Sequence, residues 1–277
     1  MEITIIIPTK NGSEFIGQVL ASIFGQKTHY TYEVIIIDSG SIDNTLDIVK
    51  NYKVRLYQIN PEDFSHSKTR NYGASLSQAE KYLIFLNQDA IPTDDRWLEN
   101  MVKSIEYDPE LKASCAIELN PEANEYFNVI SVGSAVFCNS KTQGIYIIEP
   151  YLLQKCADLP KAQQRNLFPF GTVCAIFDKQ HFAKLPFNEK VDWGEDLHWA
   201  VDNSNAGYKS ACSSFAKVFH RSYYKQEEFV EKMKKHDKLC KDIFGEDYPE
   251  FSYQGRLEKL GLPKLLASKI RKFIAEL

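Results

Sequence analysis

Four short apolar runs, each giving way to a polar loop, constrain this chain more than any other feature. They are Ile3 to Pro8 (ITIIIP), Glu33 to Ile37 (ending at Asp38), the shorter Val54 to Ile59, and Tyr82 to Leu86. Continuous β-branched runs suit strands buried on both faces, as in a parallel sheet covered by helices. Helical segments alternate with them. Phe15, Ile16, Val19, Leu20, Ile23 and Phe24 recur with helical period, and Ser41 to Tyr52 and Thr69 to Ala79 are expected as helices. After Tyr82 to Leu86, Thr93 is expected to cap a helix with Trp97, Met101, Val102 and Ile105 inside. The order β-α-β-α-β-α-β-α predicts an α/β fold: an open, mostly parallel, Rossmann-like sheet with helices on both faces. Ligands of such sheets bind beyond the carboxyl ends of the strands, where Thr9, Asp38 and Asp89 stand.

Residues 110 to 220 are less regular, with β-like pieces at Ile130 to Cys138, Thr172 to Phe177 and Ala216 to Phe219 and a helix near Asp196 to Asn205. Residues 226 to 244 read as one helix and Leu262 to Leu277 as another, with a hinge around Pro249 to Gly255. Two regions are expected, 1–225 as a nucleotide-binding domain and 226–277 as a helical extension with an amphipathic tail. With 277 residues, one large domain with a small appendage is in range.

Net charge is -4, which argues against a nucleic-acid partner. None of Cys115, Cys138, Cys156, Cys174, Cys212 and Cys240 forms a C-x-x-C pair, and no signal peptide is expected, since Ile3 to Pro8 shows no basic n-region, h-region or cleavage site around it. Reduced thiols and a cytoplasmic protein are expected. No apolar run nears the ~18 residues that span a bilayer. The tail carries Leu262, Leu266, Ile270, Phe273 and Leu277 on one helical face, flanked by Lys264, Lys269, Arg271 and Lys272. That pattern fits peripheral contact with an anionic membrane surface, or docking on protein.

The first strand is followed neither by G-x-G-x-x-G nor by a Walker lysine loop, which disfavours a dehydrogenase and a P-loop kinase. Each polar cluster admits a functional and a structural reading. Asp38-Ser39-Gly40-Ser41 can accept from a base or ribose, or form a capping turn with Ser41 as cap. Lys68 and Arg70 can meet phosphates at a helix start, or be a solvated first turn. Asp89 can ligate a divalent cation that neutralises a diphosphate, or be an acid in a βα turn. Glu195 and Asp196 can supply a general base, or complement a helix dipole. His220 can be a metal ligand or a structural histidine.

Taken in order, IIIPTKN, VIIIDSGSIDNT, FLNQDAIP, GEDLHWAVDNSNAGYK and VFHRS resemble the family-two glycosyltransferases of the GT-A fold, over roughly residues 1 to 225. FSHSKTRNYGA and LNQDAIP resemble most the bacterial rhamnosyltransferases that use dTDP-L-rhamnose. The resemblance implies an inverting transfer to a glycan or lipid-linked saccharide, as in O-antigen or other polysaccharide synthesis. It implies a nucleotide-sugar site drawn from Pro8, Thr9, Asn11, Asp38, Ser39, Lys68, Arg70, Gln88 and Asp89. Asn87-Gln88-Asp89 takes the place of the family's D-x-D, with Asn87 where the first acid stands in relatives. Asp89 and His220 are then the expected ligands of Mg²⁺ or Mn²⁺, Asp196 the base, Glu195 its partner, and Trp193 an acceptor contact. Other readings are a UDP-hexose or UDP-N-acetylhexosamine transferase of the same fold, and a non-catalytic nucleotide-sugar-binding subunit. A nucleotidyltransferase is disfavoured, because PTKNGSE is poor in glycine and basic residues.

Overall fold

The computed structural model describes residues 1–119, 144–191, 193–220 and 226–249. The expected strand Ile130 to Cys138, the tail Leu262 to Leu277 and all of the hinge but Pro249 lie outside the described residues.

The first half follows the expected alternation: β1 (Ile3–Thr9), α1 (Ile16–Phe24), β2 (Tyr32–Asp38), α2 (Thr45–Val49), β3 (Arg55–Gln58), α3 (His66–Ser75), β4 (Tyr82–Leu86), β5 (Ala90–Pro92) and α4 (Trp97–Ile105). The second half adds β6 (Leu111–Leu119), β7 (Ile145–Ile148), α5 (Leu152–Lys155), α6 (Lys161–Asn166), β8 (Cys174–Asp178), α7 (Lys179–Lys184), α8 (Glu195–Asn205), β9 (Lys209–His220) and α9 (Gln226–Phe244).

One sheet runs in the order β3-β2-β1-β4-β8-β6-β9-β5, with β7 paired on β9. β1 to β4 are parallel. β8 lies antiparallel between β4 and β6, so β6 regains the direction of β4, and β9 follows β6 in parallel. The carboxyl ends of β1, β2, β4, β6 and β9 and the start of β8 therefore share one edge.

Both faces are covered, which explains the unbroken apolar runs. Ile3, Ile5 and Ile7 pack with α1 and with Trp97, Met101, Val102 and Ile105 of α4. Ile6, Ile35 and Ile37 pack on the other face with Phe177, Phe182, Trp199 and the α9 residues Leu239, Cys240 and Phe244. Alternate residues of one strand feed opposite layers. Cys115, Cys156, Cys174 and Cys240 are free thiols. Among the described residues, no helix is long and apolar enough to cross a membrane.

Several boundaries differ from expectation, each for a local reason. The second helix shrinks to Thr45–Val49 because the preceding side chains stitch loops together. Asp43, for example, accepts from the amides of Ser13 and Thr45. α3 begins at His66, three residues before Thr69, because Ser65 caps it by accepting from the Lys68 amide at 3.1 Å. Thr93 is not a cap: its hydroxyl donates to the Lys217 carbonyl, and Gln26 Oε1 accepts from the Leu98 amide at the helix start.

Candidate functional site

Three loops at the common strand edge are tied by side chains. Gln88, after β4, accepts from the Lys10 amide and donates to the Lys10 carbonyl, both at 3.0 Å. Asn11, after β1 and at a φ of 47°, accepts from the Ile42 amide at 2.9 Å, while Ser41 Oγ accepts from the Asn11 amide at 2.9 Å. Thr45 accepts from Gly12 N at 2.7 Å. Pro8 and Thr9 end β1, with Thr9 buried and its carbonyl accepting from the Ser39 amide at 2.9 Å.

Asp38 is wholly buried and accepts from the Gly40 and Ser41 amides at 3.1 Å and from the Ser41 hydroxyl. The acid caps the turn, the reverse of Ser41 as cap. A carboxylate offers about four lone-pair directions, so the turn does not exhaust its capacity.

Arg70 was expected to face phosphate, yet it is 2% exposed. Its Nη1 donates to Glu195 Oε1 at 2.7 Å and lies 3.2 Å from His66 Nδ1, and Nη2 donates to Asn87 Oδ1 at 2.9 Å. The fork closes on the protein itself and joins the loop after β4 to the start of α8. Lys68, two residues earlier on a different face of α3, is exposed.

The two acids at the head of α8 have different surroundings. Glu195 is buried and accepts from Arg70 and from Thr172 Oγ1 at 3.0 Å. Asp196 is partly exposed and accepts from the Thr172 amide at 3.4 Å and from the Leu197 amide at 2.7 Å. Burial of its carboxyl, aided by the negative charge of Glu195, pushes its pKa up to about 6. Trp193, partly buried, meets His236 of α9 edge-on, with ring centres 6.2 Å apart.

His220, at the end of β9, is 6% exposed and stands between two carboxylates. Its Nδ1 is 2.8 Å from Glu118 Oε2 and its Nε2 3.4 Å from Asp89 Oδ1. Burial works against charge on this ring, but the two acids outweigh it and raise the pKa to about 10. The arrangement fits a divalent cation. Asp89 and Nε2 are close enough to share one ion at bond lengths of about 2.1 Å. Glu118 is placed as the carboxylate that orients a ligating imidazole through its other nitrogen. Among the described residues, no group of three or more His, Cys, Asp or Glu side chains is set to hold an ion by itself.

The geometry thus brings Asn87, Asp89, His220, Glu195 and Asp196 to one edge, with Asp38 and Asn11 on neighbouring loops. Sequence reasoning missed Glu118 and Thr172. The only trace of Glu118 is a lone acid near the end of an apolar run, ASCAIEL.

The family model for glycosyl transferase family 2 matches residues 4–183. The chain belongs to glycosyl transferase family 2. It is 32% identical over 232 residues to the O-antigen chain rhamnosyltransferase RfbN of Salmonella typhimurium, covering 83% of this chain and 69% of that one. To the O-antigen chain rhamnosyltransferase WbaN of Salmonella anatum it is 28% identical, covering 82% and 68%. Among solved structures, the S. aureus TarS in complex with UDP superposes with a TM-score of 0.58 at 16% identity, covering 90% of this chain and 68% of that one. The mannosyltransferase PcManGT from Pyrobaculum calidifontis, in complex with GDP-Man and Mn²⁺, gives 0.59 at 19%, covering 86% and 61%. At those identities the likeness is one of fold, and the fold of this glycosyltransferase is GT-A.

Proposed function

We propose that this glycosyltransferase binds dTDP-L-rhamnose and transfers rhamnose, with inversion, to a hydroxyl of a glycan or lipid-linked saccharide in bacterial cell-surface polysaccharide synthesis. The observation that carries the chemistry is Asp196, a carboxyl at the head of α8 whose burial beside Glu195 raises its pKa to about 6, which suits a base working near neutral pH. The acceptor oxygen bonds to the anomeric carbon as the bond from that carbon to the diphosphate oxygen breaks. The acceptor proton passes to Asp196, and the nucleoside diphosphate leaves. Glu195, held by Arg70 and Thr172, orients the loop beside the base. The likeness to two O-antigen rhamnosyltransferases supports the donor sugar.

In this reading Pro8, Thr9, Asn11, Asp38, Ser39 and Gln88 form the nucleoside side of the donor site, and Lys68 is the cation facing diphosphate. Arg70 acts through Asn87 and Glu195. Asp89 and His220 would hold Mg²⁺ or Mn²⁺, which when bound neutralises charge developing on the leaving diphosphate. Trp193 is the proposed acceptor contact. Residues 1–225 form the transferase unit of this proposal and 226–277 its extension, with the tail on an anionic membrane surface. Vesicle flotation with and without residues 262–277 tests the tail, and equal binding removes that part.

A donor screen that follows nucleoside diphosphate release tests the main claim. dTDP-L-rhamnose should turn over best. A UDP-hexose or UDP-N-acetylhexosamine used far better overturns the donor. No turnover with any donor and added metal turns the reading toward a binding subunit.

A further inference from the structure

Gly171 lacks a side chain for no reason of its own backbone. The glycine at 194 has a φ of 77°, and a Cβ there would lie 2.3 Å from Leu239 Cδ2. Gly12 carries no Cβ because one would stand 2.3 Å from Gln88 Oε1. At 171 neither constraint holds: the φ is not in the left-handed region, and a Cβ would meet nothing nearer than 3.7 Å. The two atoms it would meet are Glu118 Oε1 at 3.7 Å and Asp196 Oδ2 at 3.9 Å. Both distances are ordinary van der Waals contact, so an added methyl is tolerated by the fold.

The loop that carries Gly171 is held on every side. Phe170 is buried and packs on Phe177 and Trp199 at 5.8 and 5.4 Å. Thr172 is buried, its hydroxyl on Glu195 and its amide facing Asp196. Nothing in this packing calls for a missing side chain. The bare face of Gly171 lies between a carboxyl oxygen of Asp196 and Glu118 Oε1, which accepts no hydrogen bond from the described residues. The other Glu118 oxygen is held by His220.

We infer that Gly171 keeps open a passage one side chain wide between Glu118 and Asp196, and that this passage receives two neighbouring hydroxyls of an acceptor pyranoside. The attacking hydroxyl lies on Asp196 and gives up its proton there. The adjacent hydroxyl donates to Glu118 Oε1, which fixes which hydroxyl attacks. Glu118 is thereby a specificity-determining residue and Gly171 the position that admits the sugar. This rests on Asp196 being the base. Water is smaller than a pyranoside and reaches Asp196 past a methyl group, so Gly171→Ala should separate the two acceptors.

The test uses the full chain with dTDP-L-rhamnose, Mg²⁺ and a panel of methyl glycosides of rhamnose, mannose and galactose. Donor hydrolysis by water and transfer to glycoside are measured in parallel, with calorimetry of dTDP binding and a melting curve. Gly171→Ala should keep its melting temperature, bind dTDP within about twofold of the parent, and hydrolyse donor at a similar rate. Transfer to glycoside should fall at least tenfold, mainly through a higher glycoside KM. Equal loss of hydrolysis and transfer would mean that Gly171 only places the base, and unchanged transfer would mean that the gap is unused. Either overturns the passage, as does parent protein that binds none of the glycosides in saturation-transfer NMR. Failure of the base assignment is read separately: Asp196→Asn would then retain both hydrolysis and transfer.

Discussion

Asp196 stands against its own comfort. An acid in the first turn of a helix ordinarily stabilises it by about 0.3–1 kcal/mol. Here burial and the Glu195 charge raise the pKa from an ordinary 3.8 to about 6. The folded protein therefore holds this proton more tightly than the unfolded chain does. Between those two values stability falls as pH rises, and above about 6 the cost is complete, roughly 3 kcal/mol. Asp196→Asn should thus be more stable than the parent at pH 7, by about that amount, and no more stable below the ordinary carboxyl range. Its kcat should drop by about 10²–10⁴, and in the parent kcat should climb as pH rises through 6. Urea titrations at two pH values and a pH-rate profile check both signs. An Asn variant that is less stable at pH 7 makes Asp196 a helix-stabilising residue instead. Arg70 gives the opposite case. Truncating one partner of a buried ion pair leaves the other charge uncompensated, so Arg70→Ala should cost about 3–5 kcal/mol in urea. A variant of parental stability with only a raised donor KM would return Arg70 to the phosphates.

At the scale of elements, the helices lie where their glycines and caps allow. Gly73 of α3 lets the helix approach β1: a Cβ there would stand 2.4 Å from Ile6 Cγ2 and 3.6 Å from Ile37 Cγ1, both in wholly buried residues. Helix propensity alone would favour replacing glycine, by up to about 1 kcal/mol. Overpacking a rigid β-branched neighbour costs about 1–3 kcal/mol, and it should win for the bulky Val. Gly73→Val is expected to lose roughly 1–3 kcal/mol in chemical denaturation, and a stabilised variant would show that α3 can lift off the sheet. The same competition explains which element ends were legible. Tyr82 to Leu86 is matched to the residue because Leu83 to Leu86 are buried on both faces of the sheet. The start of the second helix was overestimated because Ser41, Ile42 and Asp43 tie the loop to Asn11 and Ser13 instead, and a sequence does not say which partner will be near. β6 escaped notice because its cover comes from strands and helices far along the chain.

For the whole molecule, the cation provides the integrating test. Asp89 arrives from the loop after β4 and His220 from the end of β9, and no third ligating side chain of the described residues joins them. Calorimetry of Mn²⁺ without nucleotide should therefore show weak binding, and dTDP should strengthen it by supplying phosphate oxygens. Activity should vanish in excess chelator and return with metal; full activity under chelation would leave Asp89 and His220 a structural ion pair. What the sequence determined by itself was the covered parallel half-sheet, since unbroken β-branched runs have few other stable homes, and the places of the polar loops in which the site is proposed, since they follow those runs directly. It also marked Asp38, Asp89, Glu195, Asp196 and His220, each beside a recognisable strand end or helix start. Only the tertiary structure decided which of those residues meet. The antiparallel β8 brings Gly171 and Thr172 to the same edge as Asp89, and the return of β6 and β9 brings Glu118 onto His220. Arg70 pairs with Glu195, 125 residues away in the chain. Local patterns record which residues prefer burial, helix or turn. Which charge meets which is settled by strand order, because a buried charge takes the partner that the packed sheet brings within reach.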